Sequence, residues 1–484
     1  MVGLKRLGQA GLRLQATAPL TTWGEITDKL HSPLYWIVAL SGLYCLALWG
    51  LVLLGLPPAA IALSLGGALT VAGGMFLVWQ YPVKVCGLLL LTVPLNFLVV
   101  ACLKFIQSPL ATPIAATKEG GATALILVFL LKRRRPFRLL LPDYCLLILL
   151  AFVCIRQVLG GTIGPVSYYM GGTVFNALRM DFDWVLLYVV GRLLLLDEQT
   201  MDRWSRSAIW LVSLLTLGSA YEIFILGPEP RQLLYASTFA DQPFPTSYVA
   251  LGYGYIRASA TLVGPLEFGI LCMVALVALF AYKKPVAAAI LPMAGLILSV
   301  SRASIIGAAI ALFVLAVRRK KFITFTATFF VVVALLAYLI PLLGLTDLVS
   351  SSFNKTDPSL ISHQETIREG WDVVTQYPFG LGSGTVGPDG RPFESSYLTL
   401  SGEFGIFAGI AFVAFLIACV AQFWTLPTKL GDTAIAIIIG FSFMMIGQGI
   451  LQSPYISYWV WLPIGMAIAQ AENSQATGIQ PSSR

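Results

Sequence analysis

The sequence predicts an all-α polytopic membrane protein of about 12–14 transmembrane helices, with a long outward-facing loop that carries a short amphipathic helix. Three observations carry this expectation. Of 484 residues, 57% are hydrophobic and only 11% charged, with a mean hydropathy of +0.83, a balance incompatible with a soluble domain. Apolar runs long enough to cross a bilayer recur along nearly the whole chain. Basic residues gather at alternate connections between those runs, as the positive-inside rule requires of short cytoplasmic loops.

Residues 1–30 are basic and weakly amphipathic (Lys5, Arg6, Arg13) and lack an apolar core followed by a small-residue cleavage site. They read as a cytoplasmic leader. Residues 31–470 read as one transmembrane bundle. Its spans are expected near 34–55, 58–79, 85–103, 111–131, 141–158, 184–196, 207–226, 261–282, 286–300, 303–317, 323–343, 397–422, 433–451 and 456–470. With the N-terminus inside, Lys132-Arg133-Arg134-Arg135, Arg203, Arg206, Lys283-Lys284, Arg318-Arg319-Lys320-Lys321 and Lys429 all fall on the cytoplasmic side. The polar stretch 471–484 reads as a disordered cytoplasmic tail. The net charge of +8 therefore reports topology rather than nucleic-acid binding. Seven cysteines scatter through apolar runs as small packing residues, and two histidines, His31 and His363, are too few for a multi-histidine metal centre.

The same assignment turns Lys104, Lys118, Arg156, Arg179, Arg231, Arg257, Arg302, Lys355, Arg368 and Arg391 outward; seven of these ten are arginine. Several sit at or inside span ends, where a cation is costly without a partner. The guanidinium fork suits phosphate and carboxylate, so the expected partner is a protein acid, a lipid headgroup or a substrate phosphate.

The outward loop, about 346–396, is the longest polar interval of the bundle. Ser362 and Glu365 form a capping box that starts a helix, with Ile367, Trp371 and Val374 as its apolar stripe. Arg368 is offset from that stripe by about 100°, toward a cavity or toward solvent. The glycines of Pro378-Phe379-Gly380-Leu381-Gly382-Ser383-Gly384 either present backbone N–H groups to phosphate or simply let the loop turn. Glu394 opens the next span beside Ser395 and Ser396. It is a general base or a holder of a sugar hydroxyl on one reading, and a helix-capping charge on the other.

Arg302 stands at the outward tip of a hairpin, as a headgroup-seeking arginine or as an anion ligand. Arg257 precedes the span containing Gly264-Pro265-Leu266-Glu267-Phe268-Gly269, echoed later by Gly402-Glu403-Phe404-Gly405. Glu267 and Glu403 are thus acids within the apolar belt, functional candidates or arginine partners, and their echo hints at an inexact repeat. Asp181 and Asp183 are spaced like divalent-metal ligands but have no nearby acid cluster, so no metal site is expected.

Taken in order, Arg257, Gly264-Pro265, Phe268-Gly269, Ser301-Arg302-Ala303, Arg368, Trp371, Pro378-x-Gly-x-Gly-x-Gly384, Glu394-Ser395-x-Tyr397-Leu398 and Glu403-x-Gly405-Ile406 resemble the O-antigen ligase and O-antigen polymerase superfamily over roughly residues 250–425. The resemblance implies a glycosyltransferase on the periplasmic side of the bacterial inner membrane, acting without metal or cofactor. Its donor would be an undecaprenyl-diphosphate-linked glycan, and its acceptor another glycan or lipid A–core. Polysaccharide chain-length and export proteins would be partners. Outward arginines hold the diphosphate in such proteins, which assigns that role to Arg302 and Arg368, and further to Arg257; Arg179 and Arg391 join from topology alone. Tyr397, Glu267 and Glu403 complete the expected substrate-binding set.

Ligases of this family carry a His-Asn pair where this chain has Glu394-Ser395, and His363 lies well upstream. That departure favours a polymerase of O-antigen or exopolysaccharide, with Glu394 replacing the histidine as base. Two rivals stand beside it: a flippase or transporter using Glu267 and Glu403, and an inactive member of a polysaccharide assembly.

Overall fold

The computed structural model describes residues 73–132, 137–164, 174–238, 256–320, 338, 358–384 and 393–477. The leader, the span expected near 34–55, all but residue 338 of that near 323–343, most of the span near 58–79, Arg391, and residues 478–484 lie outside these. The chain divides into two compact units, Met1–Pro82 and Val83–Arg484. In the first, residues 73–80 are helical.

The described residues form fifteen α-helices. They are α1 (Pro82–Phe105), α2 (Ala111–Ala115), α3 (Thr117–Lys132), α4 (Leu141–Leu159), α5 (Val174–Leu193), α6 (Glu198–Tyr221), α7 (Glu229–Thr238) and α8 (Pro265–Ala281). There follow α9 (Ile290–Leu298), α10 (Arg302–Arg318), α11 (Pro358–Gln376), α12 (Ser396–Phe404), α13 (Ile406–Trp424), α14 (Lys429–Met444) and α15 (Pro454–Thr477). Among the described residues, four stretches are long and apolar enough to cross a membrane: Pro82–Phe105, Leu141–Ile163, Glu198–Leu226 and Ile406–Trp424. The protein is an all-α, membrane-embedded bundle.

Without a hydrophobic drive between helices in lipid, close packing holds such a bundle together, and small residues permit it. The α5–α15 pair shows this best. A Cβ on Gly465 would collide with the Tyr188 carbonyl, and one on Gly191 with that of Leu462. Gly307 and Gly440 do the same for α10 and α14, where a Cβ on Gly440 would sit 2.6 Å from the Gly307 carbonyl. Beside the α5–α15 crossing lies an aromatic layer, with Trp184 against Trp461 at 4.5 Å between centroids and Phe412 against both. Gly465→Val must push α5 and α15 apart and is expected to destabilise by about 1–3 kcal/mol, the usual overpacking cost. Gly218→Ala, where a Cβ meets nothing within 4 Å, is the control and is expected to be neutral or better in the same thermal-unfolding assay in detergent.

Pro94 interrupts α1 and leaves the Leu90 carbonyl without its helical donor. The Trp459 indole N–H supplies one at 3.0 Å. Such repair is what a low-dielectric interior demands of every exposed backbone group.

One end of the bundle is laced by ion pairs. Arg192, 1% exposed, donates to Asp143 at 2.7 Å, to Glu472 at 2.7 Å and to the Arg138 carbonyl at 2.9 Å, while Tyr188 donates to Asp143. Arg318 and Arg319 converge on the buried Asp432, and their remaining N–H groups cap the ends of α13 and α8. Lys284 and Arg206 share Asp202. The tail expected from residue 471 is helical as far as Thr477, because Glu472 is recruited into the Arg192 network.

The span expected at 397–422 is two helices. Gly405, at φ 93°, breaks it between α12 and α13.

Candidate active site

The opposite end of the bundle gathers most of the described candidate residues. The hairpin joining α9 to α10 turns through Ser299 and Val300, with Val300 at φ 48°, a costly conformation for a β-branched residue. Arg257 sustains it: Nε donates to the Ser299 carbonyl at 3.0 Å and Nη2 to that of Val300 at 2.9 Å. The Ser301 hydroxyl caps α10 by accepting from Ser304 N–H at 3.3 Å. Arg302 is therefore the first residue of a seventeen-residue helix, where the macrodipole is positive. Burial, with the Arg302 guanidinium alongside, lowers Arg257 to about 10. Two guanidiniums and a helix N-terminus thus converge, an arrangement suited to a multiply charged anion. Arg231 steadies this corner from behind, paired with Glu222 at 2.7 Å and donating to the Leu262 carbonyl at 3.1 Å.

Helix α14 ties that corner to Glu394. Met444 packs on Gly307 of α10, 2.7 Å from where a Cβ would lie, and the next carbonyl, Met445, accepts from Ser396 N–H at 3.0 Å. Ser395 and Ser396 do not cap α12 with their hydroxyls, as expected from the sequence. Their Oγ atoms donate to the carbonyls of Met445 at 3.4 Å and Gln448 at 2.9 Å, so they fasten the helix start to the turn that follows α14. Tyr397 donates to the Ser442 carbonyl at 3.0 Å in the same way.

Helix α11 starts at Pro358, four residues before the expected capping box. Its inward stripe also differs. Ile367, Gly370 and Val374 face Phe393 and Leu398, while Trp371 is 55% exposed. Gly370 decides the rotation, because Leu398 and Phe393 close to within 3.0–3.3 Å of where its Cβ would be. Arg368 consequently stands on the exposed face with Trp371. One turn before Ile367, the inward stripe carries His363, and its Nδ1 meets Oε2 of Glu394.

The glycine run serves the protein itself rather than presenting its amides outward. The N–H groups of Leu381 and Gly382 donate to the carbonyls of Gly402 and Glu403 at 2.7 and 2.8 Å, and Gly384 N–H donates to Glu403 Oε1 at 3.1 Å. They satisfy carbonyls orphaned by the break at Gly405. Gly380, at φ 82°, lies so close to the Glu403 backbone that no side chain fits.

Glu403, 1% exposed, lines one small cleft with Asp181, which accepts from Gln452 at 2.6 Å. The cleft between them, lined also by Ser396 and Thr399, has room for about one water molecule. Glu267 accepts from Ser453 at 3.5 Å in the first turn of α8, whereas Glu403 ends α12, so the two Glu-Phe-Gly segments occupy unlike positions. Arg179 pairs with Glu119 at 3.7 Å, on the other side of α5 from Asp181's partners. Among the described residues, no three acids, histidines or cysteines form a metal-ligand group.

Residues 287–413 match the family model described as O-antigen ligase. Over that segment the chain is similar to the O-antigen ligase family. A search of curated proteins finds no matching relative. The matched segment takes in Arg302, His363, Arg368, Glu394, Tyr397 and Glu403, and leaves Arg179, Arg257 and Glu267 outside. Arg257, contributed from outside, is nonetheless the residue that shapes the hairpin beneath Arg302. Similarity to this family implies a glycosyl-transferring enzyme that uses lipid-linked glycans in a membrane.

Proposed function

We propose that this protein is a glycosyltransferase of the outer face of the bacterial inner membrane, polymerising undecaprenyl-diphosphate-linked oligosaccharide repeats into O-antigen or exopolysaccharide. The observation that supports it most is the convergence of Arg257 and Arg302 at the N-terminus of α10. As the glycosidic bond to the donor breaks, negative charge grows on the diphosphate oxygen. Fixed guanidiniums and a helix dipole stabilise that charge without reorganising, and this is where enzymes gain most. The opposite end, with its internally paired lysines and arginines, would face the cytoplasm under the positive-inside rule, together with both termini.

Polymerase is preferred over ligase because Glu394-Ser395 stands where the resembling ligases carry His-Asn. The experiment is reconstitution of the purified protein in liposomes with the lipid-linked glycan as both donor and acceptor. A ladder of products supports the polymerase. A single transfer made only when lipid A–core is supplied would make it a ligase. No glycosidic bond with either acceptor, from folded protein, would contradict the reading.

A further inference from the structure

The residue that replaces the missing histidine comes from another helix. His363, Ile367, Gly370 and Val374 lie at i, i+4, i+7 and i+11 on α11, the face that packs on Phe393 and Leu398. Docking that face brings His363 Nδ1 onto Glu394 Oε2. The two contacting atoms are shielded from solvent, yet the side chains remain 27% and 34% exposed, so the rest of each is reachable by a substrate. A carboxylate at Nδ1 holds the neutral imidazole hydrogen there and puts the lone pair on Nε2.

We infer that His363 Nε2 is the proton acceptor for the attacking sugar hydroxyl, and that Glu394 is its positioning residue. This rests on the glycosyltransferase reading above and reassigns the base within it. Imidazole suits the task better than a lone, partly solvated carboxylate, because its proton affinity lies near neutral pH. In the step itself, the hydroxyl oxygen forms its bond to the anomeric carbon while its proton passes to Nε2. The bond from that carbon to the diphosphate oxygen breaks, and the electron pair leaves with the diphosphate, held by Arg257 and Arg302. The imidazolium then returns its proton to water. The described ionisable groups on the same helix are Glu365, Arg368, Glu369 and Asp372; from α12 and its approach they are Glu394, Tyr397 and Glu403.

In the liposome assay, His363→Ala is expected to lose about 10²–10⁴-fold in transfer rate, with added imidazole restoring part of it. Glu394→Gln is expected to lose less and to shift the acid limb of the rate profile. A His363→Ala protein that transfers at the wild-type rate, while Arg302→Ala does not, would overturn this assignment and leave the glycosyltransferase reading standing. A wild-type protein that forms no bond would remove both. A readout independent of transfer comes from having only two histidines. In a His31→Gln background, His363 is the one histidine that diethyl pyrocarbonate can acylate, followed as carbethoxyhistidine. Glu394→Gln should lower the pH midpoint of that reaction by about one unit or more, since it removes an adjacent negative charge. An unchanged midpoint would overturn the pairing.

Discussion

Replacing Arg302 with alanine is expected to cut glycosyl transfer by at least about 10²–10³-fold, the usual effect of losing one preorganised donor from a developing oxyanion. The fold should tolerate the change. The Ser301–Ser304 cap that starts α10 needs no part of the Arg302 side chain, and Arg302 is only half-buried. Arg302→Lys keeps the charge but loses the fork, so its activity should fall between the two. Arg257→Ala should be equally inactive but also less stable, because it frees the Ser299 and Val300 carbonyls of a strained turn. Arg368→Ala should lose far less than Arg302→Ala, since Arg368 lies on the exposed face of α11. Polymer length on gels, scored at matched membrane levels of each variant, checks the order. A full effect at Arg368 with little at Arg302 would reverse the assignment.

The second large effect is on stability. Arg192→Met is expected to cost about 3–5 kcal/mol, the typical result of removing one partner from a buried charge network. The change leaves the Asp143 and Glu472 carboxylates in the bundle without their cation and unties α4, α5 and α15 at once. By contrast Arg206→Ala breaks a pair whose arginine is 59% exposed, and it should cost no more than about 1 kcal/mol. Thermal unfolding in detergent separates these cases. Equal losses would mean that the Arg192 network is not what holds that end together.

Among the described residues, most helices and their order were legible from hydropathy, because lipid imposes the same requirement on every spanning segment. The end bearing Lys284, Arg318, Arg319 and Lys429 was legible for the same reason. Its pairing was not, since Asp202, Asp432 and Glu472 are far from their partners in sequence. Arg302 stood out because a lone arginine at an apolar hairpin is unusual. What supports it, Arg257 beneath the Ser299–Val300 turn, is a long-range contact that no local pattern announces.

The break at Gly405 was hidden because its flanks are uniformly apolar, and only the docked glycine run reveals why a helix can end there. The rotation of α11 was misjudged by a tryptophan. Trp371 looks like a core residue, but Gly370 offers the closer approach, and choosing 367–370–374 as the stripe extends naturally back to His363. A sequence reader who weighted the glycine over the tryptophan could have placed His363 inward, although not against Glu394.

On the proposed function, Arg257 and Arg302 at the head of α10 drive bond formation from a lipid-linked diphosphate donor. Its most direct test is to follow product ladder and released undecaprenyl diphosphate together, in liposomes holding wild-type protein or Arg302→Ala. Both products are expected to appear in step with the wild type and to vanish with the variant, while the variant stays folded and inserted. A normal ladder from Arg302→Ala would contradict it.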